Sequence, residues 1–202
     1  MNRIFILPAI IGFSAYAAVD AFAVEDIAAG CNDCHGDNGV SQWNDVPTIA
    51  GLDSFTGSES LYVYQDEARP CAKSEYRQGD TSRPATDMCT VAQGLDDDQI
   101  EAIAEHYAGL PFVPAEQDFD AALASQGEAV HEEHCDQCHS DGGSNPEDEA
   151  SILAGQWMGY LREAFAHYKS GEREQPKKMQ EKIDALSDAD VEALLHYYAS
   201  QQ

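Results

Sequence analysis

Cys-x-x-Cys-His is written twice in this chain of 202 residues, at Cys31 to His35 and at Cys135 to His139, 104 positions apart. Two thiols three positions apart can form thioether links to the two vinyl groups of one haem, and the adjoining imidazole then faces the iron. A redox dithiol or half of a zinc site needs only the cysteine pair. The following histidine and the recurrence select haem attachment. Two covalently bound haem c groups are therefore expected, one on Cys31 and Cys34 and one on Cys135 and Cys138, with His35 and His139 as axial ligands.

The repeat continues past the motifs. Asp37-Asn38-Gly39 answers Asp141-Gly142-Gly143, and Ile49-Ala50-Gly51 answers Leu153-Ala154-Gly155, at the same offset. Further on the offset becomes 91: Met88 pairs with Met179, and Leu95 with Leu186. The chain is an internal duplication whose first copy holds 13 extra residues between Gly51 and Met88.

This register points to Met88 and Met179 as the sixth iron ligands, because a thioether opposite histidine closes the iron and raises its potential. Met158 lies on the amphipathic stretch from Trp157 to Tyr168 and reads as a core filler. His106, His131, His134, His167 and His196 fall at polar positions of expected helices and read as surface residues, with bis-histidine ligation as the competing arrangement.

Residues 1–23 carry Arg3, an apolar run and the small-residue triplet Ala21-Phe22-Ala23, the pattern of a cleaved export signal. The apolar run is short for a retained anchor, so no membrane span is expected in the mature chain, whose location would be the periplasm. In that oxidising setting a Cys71 to Cys89 disulfide accounts for the two remaining cysteines, and Cys89 as a thiolate ligand is the alternative.

The chain carries a formal charge of -26. Nucleic acid and anionic lipid are poor partners for such a body. Beyond Ala23 the cations cluster: those of 24–115 lie between Arg69 and Arg83, and those of 116–202 between Arg162 and Lys182. They would serve docking, propionate neutralisation or solvation.

Amphipathic spacing predicts helices over Asp98 to Gly109 and Asp188 to Ser200, the second started by a Ser187/Asp190 capping box. Shorter helices should lead into the attachment motifs, from Glu25 to Ala29 and from Gly127 to His134. Strand patterns are absent, so the fold is expected to be all-α. Gly109 to Pro114 breaks helical pattern and places the boundary near Ala115, giving domains over 24–115 and 116–202. Each half is small enough for a covalent cofactor to form part of its core. The carbonyl of Pro47, and that of Ser151 at the matching position, are placed to accept the Nδ1 proton of each axial histidine.

The duplication, with Ile-Ala-Gly or Leu-Ala-Gly-Gln after each motif and a capped last helix in each half, resembles the bacterial dihaem cytochromes of the c4 type. Phe119 to Gln202 is also similar to the cytochrome subunit of flavocytochrome c sulfide dehydrogenase, most specifically in Lys177-Lys178-Met179 and in Tyr198-Ala199-Ser200-Gln201-Gln202. The resemblance implies two tandem class I cytochrome c-like domains and no catalytic residue on this chain. A FAD-containing flavoprotein subunit, paired with it as a heterodimer, would oxidise sulfide, and this chain would pass the electrons to a soluble cytochrome. The alternatives are a free-standing periplasmic shuttle to a terminal oxidase and, third, a thiosulfate-oxidising enzyme with an open or cysteine-ligated iron. The extra segment with Cys71 and Cys89 departs from both families.

Overall fold

The computed structural model describes residues 21–202, with side chains from Val24 onward. The expected leader lies outside the described residues up to position 20, and the first helix begins at Ala21, ahead of the expected cleavage point. Among the described residues the secondary structure is helical, with one isolated antiparallel bridge, Ser74 to Thr86. None of these helices is long and apolar enough to cross a membrane.

The first half is built from α1 (Ala21–His35), α2 (Ser54–Gln65), α3 (Met88–Gln93) and α4 (Asp97–Ala108). The helix expected over Glu25 to Ala29 runs on through the attachment motif, where helical spacing sets Cys31 and Cys34 on one face. Asp96 starts α4 with a full capping box to Gln99. Ala28 of α1 meets Ile103 and Tyr107 of α4 in a small buried cluster.

The second half repeats this plan with α5 (Ala121–His134), a one-turn α6 (Ser140–Gly143), α7 (Met158–Ser170), α8 (Lys177–Ala185) and α9 (Asp188–Ala199). Helix α5 starts six residues earlier than the periodicity suggests, because Asp120 accepts the N–H groups of Ala122 and Leu123. The Ser187/Asp190 capping box is present. Gly127 lets α5 approach α9 closely, since a Cβ there would strike the Ala193 backbone. The core here is larger, with Leu161, Phe165, Ile183, Leu194, Leu195 and Tyr198 among its buried members, and Met158 packs against it as a filler.

Helices α2 and α7 align residue for residue at the offset of 104, down to a left-handed residue just past each, Glu67 at φ 53° and Gly171 at φ 76°. The correspondence continues to Arg69 and Arg173. The 13 extra residues therefore fall between Arg69 and Met88. Cys71 and Cys89 are joined as a disulfide at the foot of this loop, beside the Ser74 to Thr86 bridge and a Lys73 to Asp87 ion pair. The tip folds back on α1: the N–H groups of Arg77 and Gln78 donate to the Asp33 carbonyl, and Arg83 pairs with the Asp33 carboxylate.

The halves are stitched by polar contacts. Gln156 is 2% exposed; its Oε1 accepts from Thr48 N–H at 2.9 Å and its Nε2 donates to Thr48 C=O at 3.0 Å. Trp157 Nε1 donates to the Ser41 carbonyl, and the N–H groups of Gly159 and Tyr160 bind the Asn44 side chain and carbonyl. The non-helical segment from Leu110 to Asp120 crosses between the halves, held by Ala115 N–H on the Gly155 carbonyl.

Two outcomes follow from these contacts. Gln156→Ala leaves a buried donor and acceptor of Thr48 without partners, so the urea midpoint should fall by the equivalent of about 2 kcal/mol; an unchanged midpoint would show the seam contributes nothing. Hydrogen bonds from Lys73 and from the Thr90 N–H hold the Asp87 carboxyl down to about 2 from 3.8. A depressed acid stabilises the fold above its unfolded value, so this contribution should be complete above about pH 4 and vanish as pH falls through about 2. Acid unfolding of Asp87→Asn against the parent should show a gap at neutral pH that closes by that point.

Candidate haem sites

The histidine of each Cys-x-x-Cys-His motif is fixed by a carbonyl twelve residues downstream. His35 is buried with its Nδ1 2.9 Å from the Pro47 carbonyl, and His139 has its Nδ1 3.2 Å from that of Ser151. Burial lowers the pKa of both rings, only partly offset by these carbonyls, so both imidazoles are neutral. A neutral ring donating from Nδ1 carries its lone pair on Nε2, the arrangement that binds a metal.

The loops that present these carbonyls are built identically. The N–H groups of Ile49 and Ala50 donate to the Gly39 carbonyl, and those of Leu153 and Ala154 to the Gly143 carbonyl. Gly51 N–H then donates to the Tyr107 carbonyl at 2.9 Å, and Gly155 N–H to that of Tyr198 at 2.8 Å. Gly39 and Gly143 have φ values of 74° and 83°, in the left-handed region where a side chain is strained, and a Cβ on Gly39 would meet the Tyr107 ring. The terminal helix of each half thus anchors the loop that aims its histidine.

The attachment thiols suit thioether formation. Burial pushes Cys31 up to about 11 and also raises Cys34 and Cys135, so these sulfurs sit uncharged where an uncharged thioether costs nothing to bury. The two second cysteines differ. Cys34 lies beside the returning loop tip, whose Arg77 and Arg83 act on it, whereas Cys138 is exposed. Cys31 packs on the first core and Cys135 on the second. These residues fit one covalent haem per half.

The proposed sixth ligands occupy different settings. Met179 is half-buried on α8 and packs on the same core as Cys135. Met88 is half-buried as the first residue of α3, behind the Asp87 cap and next to the disulfide. Cys89 is 4% exposed and bonded to Cys71.

His131 corrects the surface reading of the spare histidines. It is 1% exposed, with Nδ1 3.0 Å from the Tyr198 hydroxyl and Asp136 3.7 Å from Nε2. Its polar neighbours in sequence hid this, because α9 covers only the strip of α5 that contains His131 and Gly127. The tyrosines were also overlooked. Tyr107 and Tyr198 share the offset of 91, and each reaches toward the first attachment cysteine of its half. Tyr107 Oη lies 2.9 Å from Asn32 Oδ1, which in turn accepts Gly39 N–H. Extending the offset of 91 to position 198 would have found the pair.

Tyr198→Phe strands a buried imidazole nitrogen, so the chemical denaturation midpoint should drop by the equivalent of about 1–2 kcal/mol while haem attachment persists. A midpoint matching the parent would remove Tyr198 from the structural account.

Comparison with known proteins agrees with this geometry. A family model described as cytochrome C oxidase, cbb3-type, subunit III, matches residues 122–197, within the second half. Cytochrome c4 of Pseudomonas aeruginosa is 27% identical over 91% of this chain and 89% of its own length. A thiosulfate dehydrogenase electron acceptor of Stutzerimonas stutzeri is 25% identical over 86% of this chain and 79% of its own. The crystal structure of reduced recombinant cytochrome c4 from Pseudomonas stutzeri superposes with a TM-score of 0.71 at 24% identity, over 91% of this chain and 99% of that one. The chain is thus similar along both halves to the dihaem cytochromes c4: it folds as two tandem class I cytochrome c-like domains with two covalently bound haem c groups.

Proposed function

We propose that the chain works in the periplasm as an electron carrier that accepts electrons from a sulfur-compound dehydrogenase and delivers them to a small soluble cytochrome or a terminal oxidase. The observation that carries this reading is similarity along both halves to cytochrome c4 and to an electron acceptor of thiosulfate dehydrogenase. Bound haem supplies one-electron exchange between ferric and ferrous iron. The polypeptide anchors each group through Cys31 and Cys34 or Cys135 and Cys138. It aims His35 and His139 through the Pro47 and Ser151 carbonyls. In this proposal Met88 and Met179 would hold the iron of each group together with His35 and His139. Residues 1–23 would direct export and be removed.

A second reading rests on the C-terminal half. Lys177-Lys178-Met179 and the ending Tyr198 to Gln202 favour a partner like the FAD-containing subunit of flavocytochrome c sulfide dehydrogenase. In that case the chain is a bound electron-transfer subunit. Gentle purification of the native protein separates the two. A flavin-free single chain supports the free shuttle, and a co-purifying larger chain with bound flavin supports the subunit.

The methionine assignment has its own outcome. Exchanging a thioether for an imidazole lowers the potential of the iron it serves. Met88→His and Met179→His should therefore each lower one of the two midpoint potentials in a redox titration and leave the other near its parent value. A substitution that moves neither potential would remove that methionine from the ligand set.

A further inference from the structure

The 13 residues that the first half has in excess land on the motif that the duplication otherwise repeats. Residues 70–87 separate Arg69 from Met88, where only 174–178 separate Arg173 from Met179. The foot of this longer segment is tied three times: by the Cys71 to Cys89 disulfide, by the Lys73 to Asp87 ion pair, and by Ser74 and Thr86, which exchange backbone hydrogen bonds at 2.7 and 3.0 Å.

The tip is tied as well. The N–H groups of Arg77 and Gln78 donate to the Asp33 carbonyl at 2.9 and 3.0 Å, and Gln78 Nε2 donates to the Asp37 carboxylate at 2.8 Å. Arg83 pairs with the Asp33 carboxylate and Arg77 with that of Asp45. Gly79 lies so close to Asp33 that a Cβ there would strike its carboxylate. The Arg77 backbone reaches the Cys34 sulfur itself. A segment held at both ends is a fixed cover.

The repeat supplies the comparison. Asn32, Asp33 and Cys34 are half-buried, whereas Asp136, Gln137 and Cys138, their counterparts at the offset of 104, are exposed. Electron exchange between proteins needs close approach of the two redox groups, because its rate falls steeply with distance. A thioether sulfur marks the edge of the haem bonded to it, so whatever lies above that sulfur limits how near a partner can come.

We propose that residues 75–85 close the Cys34 turn to protein partners, so that electrons pass between this chain and a small electron-transfer protein with a cationic face at the Cys138 turn of the second half. This rests on the two-haem, electron-carrier reading of the chain. Charge argues for a cationic partner: Glu132, Glu133 and Asp136 are exposed beside Cys138, with Lys182 on the same side, its Nζ 3.4 Å from the Glu133 carbonyl. On the covered turn the two arginines of the tip neutralise Asp33 and Asp45.

The test uses the full chain with both haems attached and a basic mitochondrial cytochrome c as probe. Covalent haem content is measured first: a chain with no haem on Cys138 overturns the two-haem reading, whereas a loaded chain that docks elsewhere overturns the proposal alone. Zero-length carbodiimide cross-linking to the probe, mapped by mass spectrometry, should join its lysines to Glu132, Glu133 or Asp136. Cross-links through the exposed Glu75 or Asp80 of the tip, or none at the Cys138 turn, would overturn the proposal.

Stopped-flow oxidation of the reduced chain by the ferric probe supplies the second readout. Glu133→Lys with Asp136→Lys should slow the reaction by about tenfold at low salt. Replacing residues 75–85 with Asn-Gly, a two-residue turn suited to the antiparallel Ser74 to Thr86 pair, keeps the foot and bares the Cys34 turn with its Asp33 and Asp45 carboxylates unanswered. In that background the same charge reversal should slow the reaction by less than about twofold, since the first turn then takes the probe. Arg83→Gln, which unties the tip, should give an intermediate slowing of about threefold and carries the kinetic test if the shortened chain fails to fold. Equal slowing with and without the tip would show that the tip closes nothing and overturn the proposal.

Discussion

The hydrogen bond from each motif histidine, His35 and His139, to a backbone carbonyl is the contact around which both halves are arranged. A ring free to turn about its Cβ bond would not hold its Nε2 lone pair toward an iron. Pro47 and Ser151 supply the carbonyls, but a carbonyl can orient a ring only if its own loop is fixed. Those loops hang from the Gly39 and Gly143 carbonyls at one end and from Tyr107 and Tyr198 of the terminal helices at the other. The terminal helices in turn rest on α1 and α5, which carry or lead into the cysteines. Each domain is a closed circuit from attachment turn to terminal helix to carbonyl and back to histidine.

The two copies have diverged within that common circuit. The second has a substantial apolar core, whereas the buried cluster of the first is Ala28, Ile103 and Tyr107. The first copy carries a disulfide-footed loop that folds over Asp33 between Cys31 and Cys34. The exposed Cys138 has no such cover. The two halves therefore differ in the cover over Cys34 and Cys138. Their contact face is polar: the amide of Gln156 replaces hydrogen bonds that Thr48 would otherwise make to water.

Most of the circuit was legible because it is repeated. Two Cys-x-x-Cys-His motifs, glycines at matching offsets, a capping box at Ser187 and a proline ahead of Ile-Ala-Gly are local signals with direct physical meaning. What stayed hidden lacks periodicity. Helix α2 has glycine and serines along its length and no apolar stripe, so only its alignment with α7 identifies it. His131 sits among glutamates yet is covered by α9, because burial is decided by a helix 60 residues away in sequence. Arg69 and Arg173 read as solvated cations until the seam brings both to one phenol, that of Tyr160. A cation's neighbours across a domain contact leave no trace in the spacing around it.

Intact mass of the full-length chain, matured in a host that attaches c-type haem and measured under denaturing, reducing conditions, tests the central claim most directly. The account predicts a polypeptide heavier by two haems, falling by one haem when Cys31 and Cys34 are both replaced by alanine and by the other when Cys135 and Cys138 are. A chain that gains one haem or none, or that keeps two after either replacement, would contradict it.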